Sequence, residues 1–165
     1  GGAIHRPHVR HQRTIVSFYQ ENNFIEGLLP HEISHLMLID FIGAKYQIPL
    51  WFNEGVAQLH EKDKVTKANE LMHRLVKHNQ YIPLQRLTTI DIRYETDPTR
   101  VAIFYAQSLS VVHFMIKKYG SKKFGVLCRA MRDQQSFSIA LRSTYPTNMA
   151  TIAQLEKNWL NDMKN

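Results

Sequence analysis

The chain has 165 residues and a mass of 19.3 kDa, enough to bury a core of its own. With 44% apolar and 21% charged residues it is not a disordered tail, and its single cysteine excludes an internal disulfide framework and any Cys-rich zinc module. Twenty-one Lys and Arg against 14 Asp and Glu leave a charge of +7, which favours acidic partners.

In chain order, residues 1–22 read as an edge-strand region. Ile15, Val16, Phe18 and Tyr19 are β-branched or aromatic, and Ala3 to Val9 is a second extended stretch interrupted by Pro7. From residue 23 the pattern is helical. Phe24, Ile25, Leu28, Leu29, Leu36, Ile39 and Ile42 recur at helical spacing, with Pro30 marking the start, Phe41 the end and Gly43 the stop. The run 36-LMLIDFIG-43 is interrupted by Asp40, and no stretch reaches the ~18 uninterrupted apolar residues of a membrane span. A short helix follows Pro49, from Trp51 to His60, and a third covers roughly Thr66 to Asn79 before a loop over 81-YIPLQRL-87. Asp97-Pro98 opens a fourth helix that runs to Tyr119; Ser121 caps a fifth to about Arg132; Phe137 to Ser143 is a sixth. The last begins at the capping-box pattern Thr151-Ile-Ala-Gln154 and carries Ile152, Leu155, Trp159 and Met163 on one face. The densest basic cluster, Lys117, Lys118, Lys122 and Lys123, straddles Gly120 without interleaved aromatics, as a solvated face does; a nucleic-acid or anionic-lipid patch is the lesser reading. The expectation is therefore one domain over 1–165, mainly α with a small N-terminal β-sheet. The Gly-Gly start in place of Met marks it as an expected piece of a longer chain, so targeting signals are silent.

The chemistry concentrates in His31-Glu32-Ile33-Ser34-His35. Positions four apart lie one above the other on a helix, so both imidazoles can reach one metal from a single face, and Glu32 projects beside them to take a proton from water activated by that metal. With nine His and eight Glu in the chain, chance would supply this pattern about 0.02 times, so it is informative without being decisive. A catalytic zinc site needs a third donor from another element. Glu54, in Trp51-Phe-Asn-Glu-Gly-Val-Ala57, qualifies, because a helix, a loop and an antiparallel helix would return its carboxylate to the two histidines.

These two motifs and the eighteen residues between them resemble the gluzincin metallopeptidases, the thermolysin-like clan, and within it the compact peptidase-MA-like domains related to the aminopeptidases. Ile82-Pro-Leu, Phe104-Tyr-Ala-Gln-Ser-Leu through Tyr119-Gly120, and Ala140-Leu with Leu155-Glu-x-x-Trp159 are similar to that family's later helices. The resemblance implies a thermolysin-like catalytic domain, one Zn²⁺ per chain on His31, His35 and Glu54, Glu32 as general base, and a tyrosine that hydrogen-bonds the developing oxyanion. Tyr105 matches that tyrosine. Read from the residues alone it is equally a half-core Tyr with a satisfied hydroxyl, and Tyr94 and Tyr119 are weaker candidates.

The sequence departs from the aminopeptidases where their Gly-x-Met-Glu-Asn strand grips a free amine: His5 stands in place of that Glu, which favours an endopeptidase. Only thirty residues precede His31, fewer than the sheet lobe of larger relatives needs. His5, His8 and His11 alternate faces on a strand and read as surface or cleft residues; His60, His73, His78 and His113 are ordinary polar positions, Trp51 and Cys128 core, and Gln58 and Glu61 unassigned supports of the ligands. The expected activity is zinc-dependent hydrolysis of a peptide or protein substrate. A catalytically inactive zinc-binding or ligand-sensing domain is the alternative, and a basic nucleic-acid-binding helical module a more distant one. Nothing in the residues fixes compartment, and a secreted, periplasmic or membrane-anchored setting rests only on segments outside this piece.

Overall fold

The computed structural model describes residues 27–43, 48–60 and 62–164. Among the described residues, eight helices fold around one core: α1 (Leu29–Ile42), α2 (Leu50–Ala57), α3 (Lys62–Lys77), α4 (Leu84–Leu87), α5 (Pro98–Tyr119), α6 (Ser121–Arg132), α7 (Phe137–Thr144) and α8 (Ile152–Lys164). Short 3₁₀ turns extend α2 over Gln58–His60 and precede α5 and α8.

The centre is α5, against which α2, α3, α6 and α8 all pack. Enclosure on so many sides explains its sequence, since residues 107 to 112 are buried without a break, polar Gln107, Ser108 and Ser110 included. This is also the one described helix long and apolar enough to cross a membrane by length and composition, yet half of its most apolar window is buried inside the protein, as a core helix requires. Its start is fixed by Asp97, whose carboxylate accepts the Thr99 N–H at 2.8 Å, and by Pro98 in the first turn. It ends at Gly120, whose φ of +83° lets the chain swing directly into α6.

Amphipathic helices close the core from outside. Ala68, Met72 and Val76 form the buried stripe of α3; Ile152, Leu155, Trp159 and Met163 form that of α8. The Trp159 indole N–H donates to Ser110 Oγ at 3.1 Å, so this large buried ring leaves no orphaned donor. Trp51 and Phe52 of α2 meet Phe137 of α7 with ring centroids 5.3 Å apart in both cases, an aromatic knot that holds α2 against the far side of the core.

Several expectations are corrected here. The α+β reading with a small N-terminal sheet is overturned: the described residues form helices and turns and no strand. Helix-on-helix packing around α5 closes their core without a sheet layer, and the β-propensity that prompted the reading is a weak prior; residues 1–22 lie outside the described residues. The stretch 81–87 is not all loop, because Pro83 leads into α4, where the Glu156 carboxylate accepts the Leu84 N–H at 2.6 Å and so anchors the turn to α8. The third helix starts at Lys62, not near Thr66. Ser121 lies within α6 and makes no cap bond. At α8 the expected Thr151 Oγ1 bond from Gln154 N is present at 3.2 Å, and only the return half of the box is displaced, Gln154 Oε1 accepting from Ala150 N at 2.9 Å.

Candidate metal centre

The site grows from the N-terminal half of α1. Pro30 sets the first turn, and Ser34 donates from its hydroxyl to the Pro30 carbonyl at 2.7 Å, turning its side chain back along the helix. Ser34, Leu38 and Ile42 bury one stripe of α1; His31 and His35 lie beside that stripe, with ring centroids 4.7 Å apart and planes nearly perpendicular. Gly43, at φ +99°, ends the helix with its N–H on Ile39 O at 2.8 Å.

The third residue comes from α2. Its first turn hangs on the Pro49 carbonyl, which accepts from Phe52 N and Asn53 N, while Trp51, Phe52 and Gly55 take up the core side. Since α1 and α2 pack together, Glu54 is carried toward the two imidazoles. The Nε2 atoms of His31 and His35 are 3.1 Å apart, and Glu54 Oε2 is 3.7 Å from one and 3.6 Å from the other.

A circle through these three atoms has a radius of about 2.0 Å, which is the length of a zinc–nitrogen or zinc–oxygen bond, ~2.0–2.2 Å. With both rings in the Nδ1–H tautomer, the two Nε2 atoms and the carboxylate turn lone pairs toward one point, where a cation would be held. The donor set is thus of the right kind, number and spacing for one zinc ion. Among the described residues it is the one group of three or more such side chains close enough to share an ion. The His35 Nδ1 atom is buried and has no hydrogen-bond partner among the described residues.

Two further residues interact electrostatically with Glu54. Burial pushes the Glu54 carboxyl above its usual range and the negative Glu32 adds to that, while His35 and Lys64 pull it down; a bound cation would reverse the balance. Glu32 therefore lies within electrostatic reach of the triad, on the same helix as the histidines. The Tyr105 hydroxyl of α5 is half-buried, and its pKa is raised by desolvation and then by the charge of Glu54. It faces the site. Tyr94 is 82% exposed, and Tyr119 packs edge-on against Phe114 and Tyr145, so neither competes with Tyr105.

The remaining candidates separate cleanly. Trp51 is core, at 1% exposure. The Cys128 thiol is buried and pushed up to about 11 by desolvation. Burial lowers the pKa of His113, whose Nδ1 meets the Asn69 amide, and His73 holds the Met163 carbonyl. The residues His5, His8, His11 and Glu61 lie outside the described residues.

Two residues gain a definite place from the structure. Gly55 sits where α2 comes closest to α5: a Cβ there would fall 2.6 Å from Val112 Cγ2 and closer still to the Ser108 carbonyl oxygen. Gln58, left unassigned from the sequence, does not touch the ligand atoms and instead bonds the backbone beneath them. A glycine inside an eight-residue helix, where it costs about 1 kcal/mol against alanine, was the available signal for the first.

No curated protein and no solved structure matches the chain. The family model of the Peptidase MA superfamily does match, over residues 15–165, a span that takes in α1, α2 and α5 and with them every side chain of this centre. The chain belongs to the Peptidase MA superfamily.

Proposed function

We propose that this domain is a zinc-dependent peptidase of the gluzincin type, with His31, His35 and Glu54 as the metal ligands. The observation that carries the reading is the triangle of donor atoms, 3.1, 3.7 and 3.6 Å on its sides, drawn from two helices that the core holds rigidly together. Membership of a superfamily that is typically zinc-dependent supports it. When bound, zinc supplies a Lewis acid that polarises a scissile carbonyl and acidifies water.

The protein's own residues do the rest. Glu32 is the general base: its carboxylate, next to His31 on the same helical turn, accepts a proton from the attacking water and returns it to the leaving amine. Tyr105 donates its hydroxyl to the carbonyl oxygen as negative charge develops there, since a phenol is protonated at neutral pH. Burial of the site, with the histidines and Glu54 between 14 and 17% exposed, strengthens both interactions over their value in water. The substrate is a peptide or protein cleaved at internal bonds.

The test is hydrolysis of a peptide library by the wild type, by Glu32→Gln and by chelator-treated protein. Glutamine keeps the shape of Glu32 and cannot take the proton, so kcat should fall by about a thousandfold while metal content and fold persist. Turnover unchanged in Glu32→Gln would assign the chemistry to another base. Zinc bound without any cleavage by the wild type would favour the inactive zinc-binding alternative.

A further inference from the structure

The α2–α5 contact beneath the ligands is fastened by one side chain. Gln58 is only 5% exposed, and its Nε2 donates twice, to the Glu54 carbonyl at 3.0 Å and to the Tyr105 carbonyl at 3.3 Å. Those two residues are 51 positions apart in the sequence and lie on different helices. One amide thus joins the backbone of the residue assigned to the metal with that of the residue assigned to the oxyanion. Gly55 completes the fastening, since the missing Cβ allows α2 to approach the Ser108–Val112 stretch of α5 until Gln58 can span the gap.

From this we infer that Gln58 is a positioning residue that sets the distance between Glu54 and Tyr105. The inference rests on the peptidase reading and adds to it a residue that touches neither metal nor substrate. A carboxylate ligand and an oxyanion donor must be held to within a fraction of an ångström to act on the same carbonyl, and backbone anchoring is how a helical scaffold provides that tolerance. Both bonds of Gln58 Nε2 among the described residues go to main-chain acceptors of the two site-bearing helices.

Helix α5 carries the control. Gln107 is fully buried and clamps Ile82 in the same manner, donating to Ile82 O at 2.6 Å and accepting from Ile82 N at 2.9 Å. It lies two residues beyond Tyr105, about 200° around the helix, and fastens the segment before α4 where Gln58 fastens α2. Both glutamines stabilise the fold. Only Gln58 should tune the site.

The experiment compares wild type, Gln58→Met and Gln107→Met in the 165-residue chain, loaded with Co²⁺ for its visible absorption bands and titrated with Zn²⁺ for affinity, with thermal melts and peptide kinetics alongside. Both variants should melt lower than wild type by similar amounts. Gln58→Met should bind zinc about tenfold more weakly, shift the cobalt spectrum, and lose kcat about tenfold with KM little changed; Gln107→Met should keep wild-type values in all three. Should Gln58→Met fail to fold, Gln58→Asn keeps the amide with one methylene less reach and should move the same readouts in the same direction. Equal metal affinity, spectrum and kcat in the two glutamine variants would overturn the inference while leaving the peptidase reading intact. A wild type that binds neither ion would instead remove the peptidase reading, and the inference with it.

Discussion

Gly55→Ala is the most direct way to pull the two halves of the centre apart. The added Cβ would lie 2.6 Å from Val112 Cγ2 and 2.8 Å from the Ser108 carbonyl carbon, where carbon atoms in contact sit at ~3.5–4.0 Å. The shortfall is about 1 Å against helix backbone, which cannot rotate aside as a flexible side chain would, so α2 must withdraw from α5. Overpacking of this kind costs about 1–3 kcal/mol, and the better helix propensity of alanine returns about 1 kcal/mol at most. A net loss of about 1–2 kcal/mol corresponds to a melting temperature lower by about 3–6 °C for a domain of this size. Glu54 is the adjacent residue, so its carboxylate moves with the helix and zinc affinity should fall by at least about tenfold. Gly125→Ala is the control, because its Cβ would meet only the flexible Arg129 guanidinium at 3.5 Å in the middle of α6 and should stabilise slightly. Calorimetric melts and zinc titrations of both variants decide the matter. A Gly55→Ala protein as stable as wild type, with undiminished zinc affinity, would refute the close-contact argument.

Three further outcomes follow from the same structure. Tyr105→Phe should reduce kcat about a hundredfold and leave KM and zinc content unchanged; steady-state kinetics with full activity in the variant would return Tyr105 to a packing role. Cys128, buried and with its thiol pushed up to about 11, is roughly 0.1% thiolate at pH 8 and should react with Ellman's reagent only on unfolding; rapid labelling of the native protein would contradict its place in the core. A cleaved peptide should keep its kcat/KM after N-terminal acetylation, because His5 stands where an amine-binding glutamate is expected. Strong loss on acetylation would mean that an amine anchor exists and that the endopeptidase reading fails.

The sequence made the centre more legible than the scaffold that holds it. The i, i+4 histidines could be read because helix geometry alone puts His31 and His35 on one face, and Glu54 because a short connection forces the next helix back along the first. Asp97-Pro98 and Gly120 bounded α5 correctly, since capping and positive φ are local properties of single residues. Long-range contacts were different. Nothing local about Gln58 announces that its amide bridges to Tyr105, and α4 exists because Glu156, 72 residues away, holds its first N–H. The β-branched stretch near Ile15 drew a sheet from propensity, whereas the described core is closed by helices alone.

The central claim is that His31, His35 and Glu54 together hold one zinc ion, and elemental analysis of protein purified without added metal tests it most directly. The account predicts about one zinc per chain in the wild type, none in His35→Ala, and partial or complete loss in Glu54→Ala, where water can replace a single oxygen ligand. Undiminished zinc in both variants, with each still folded by circular dichroism, would contradict the assignment.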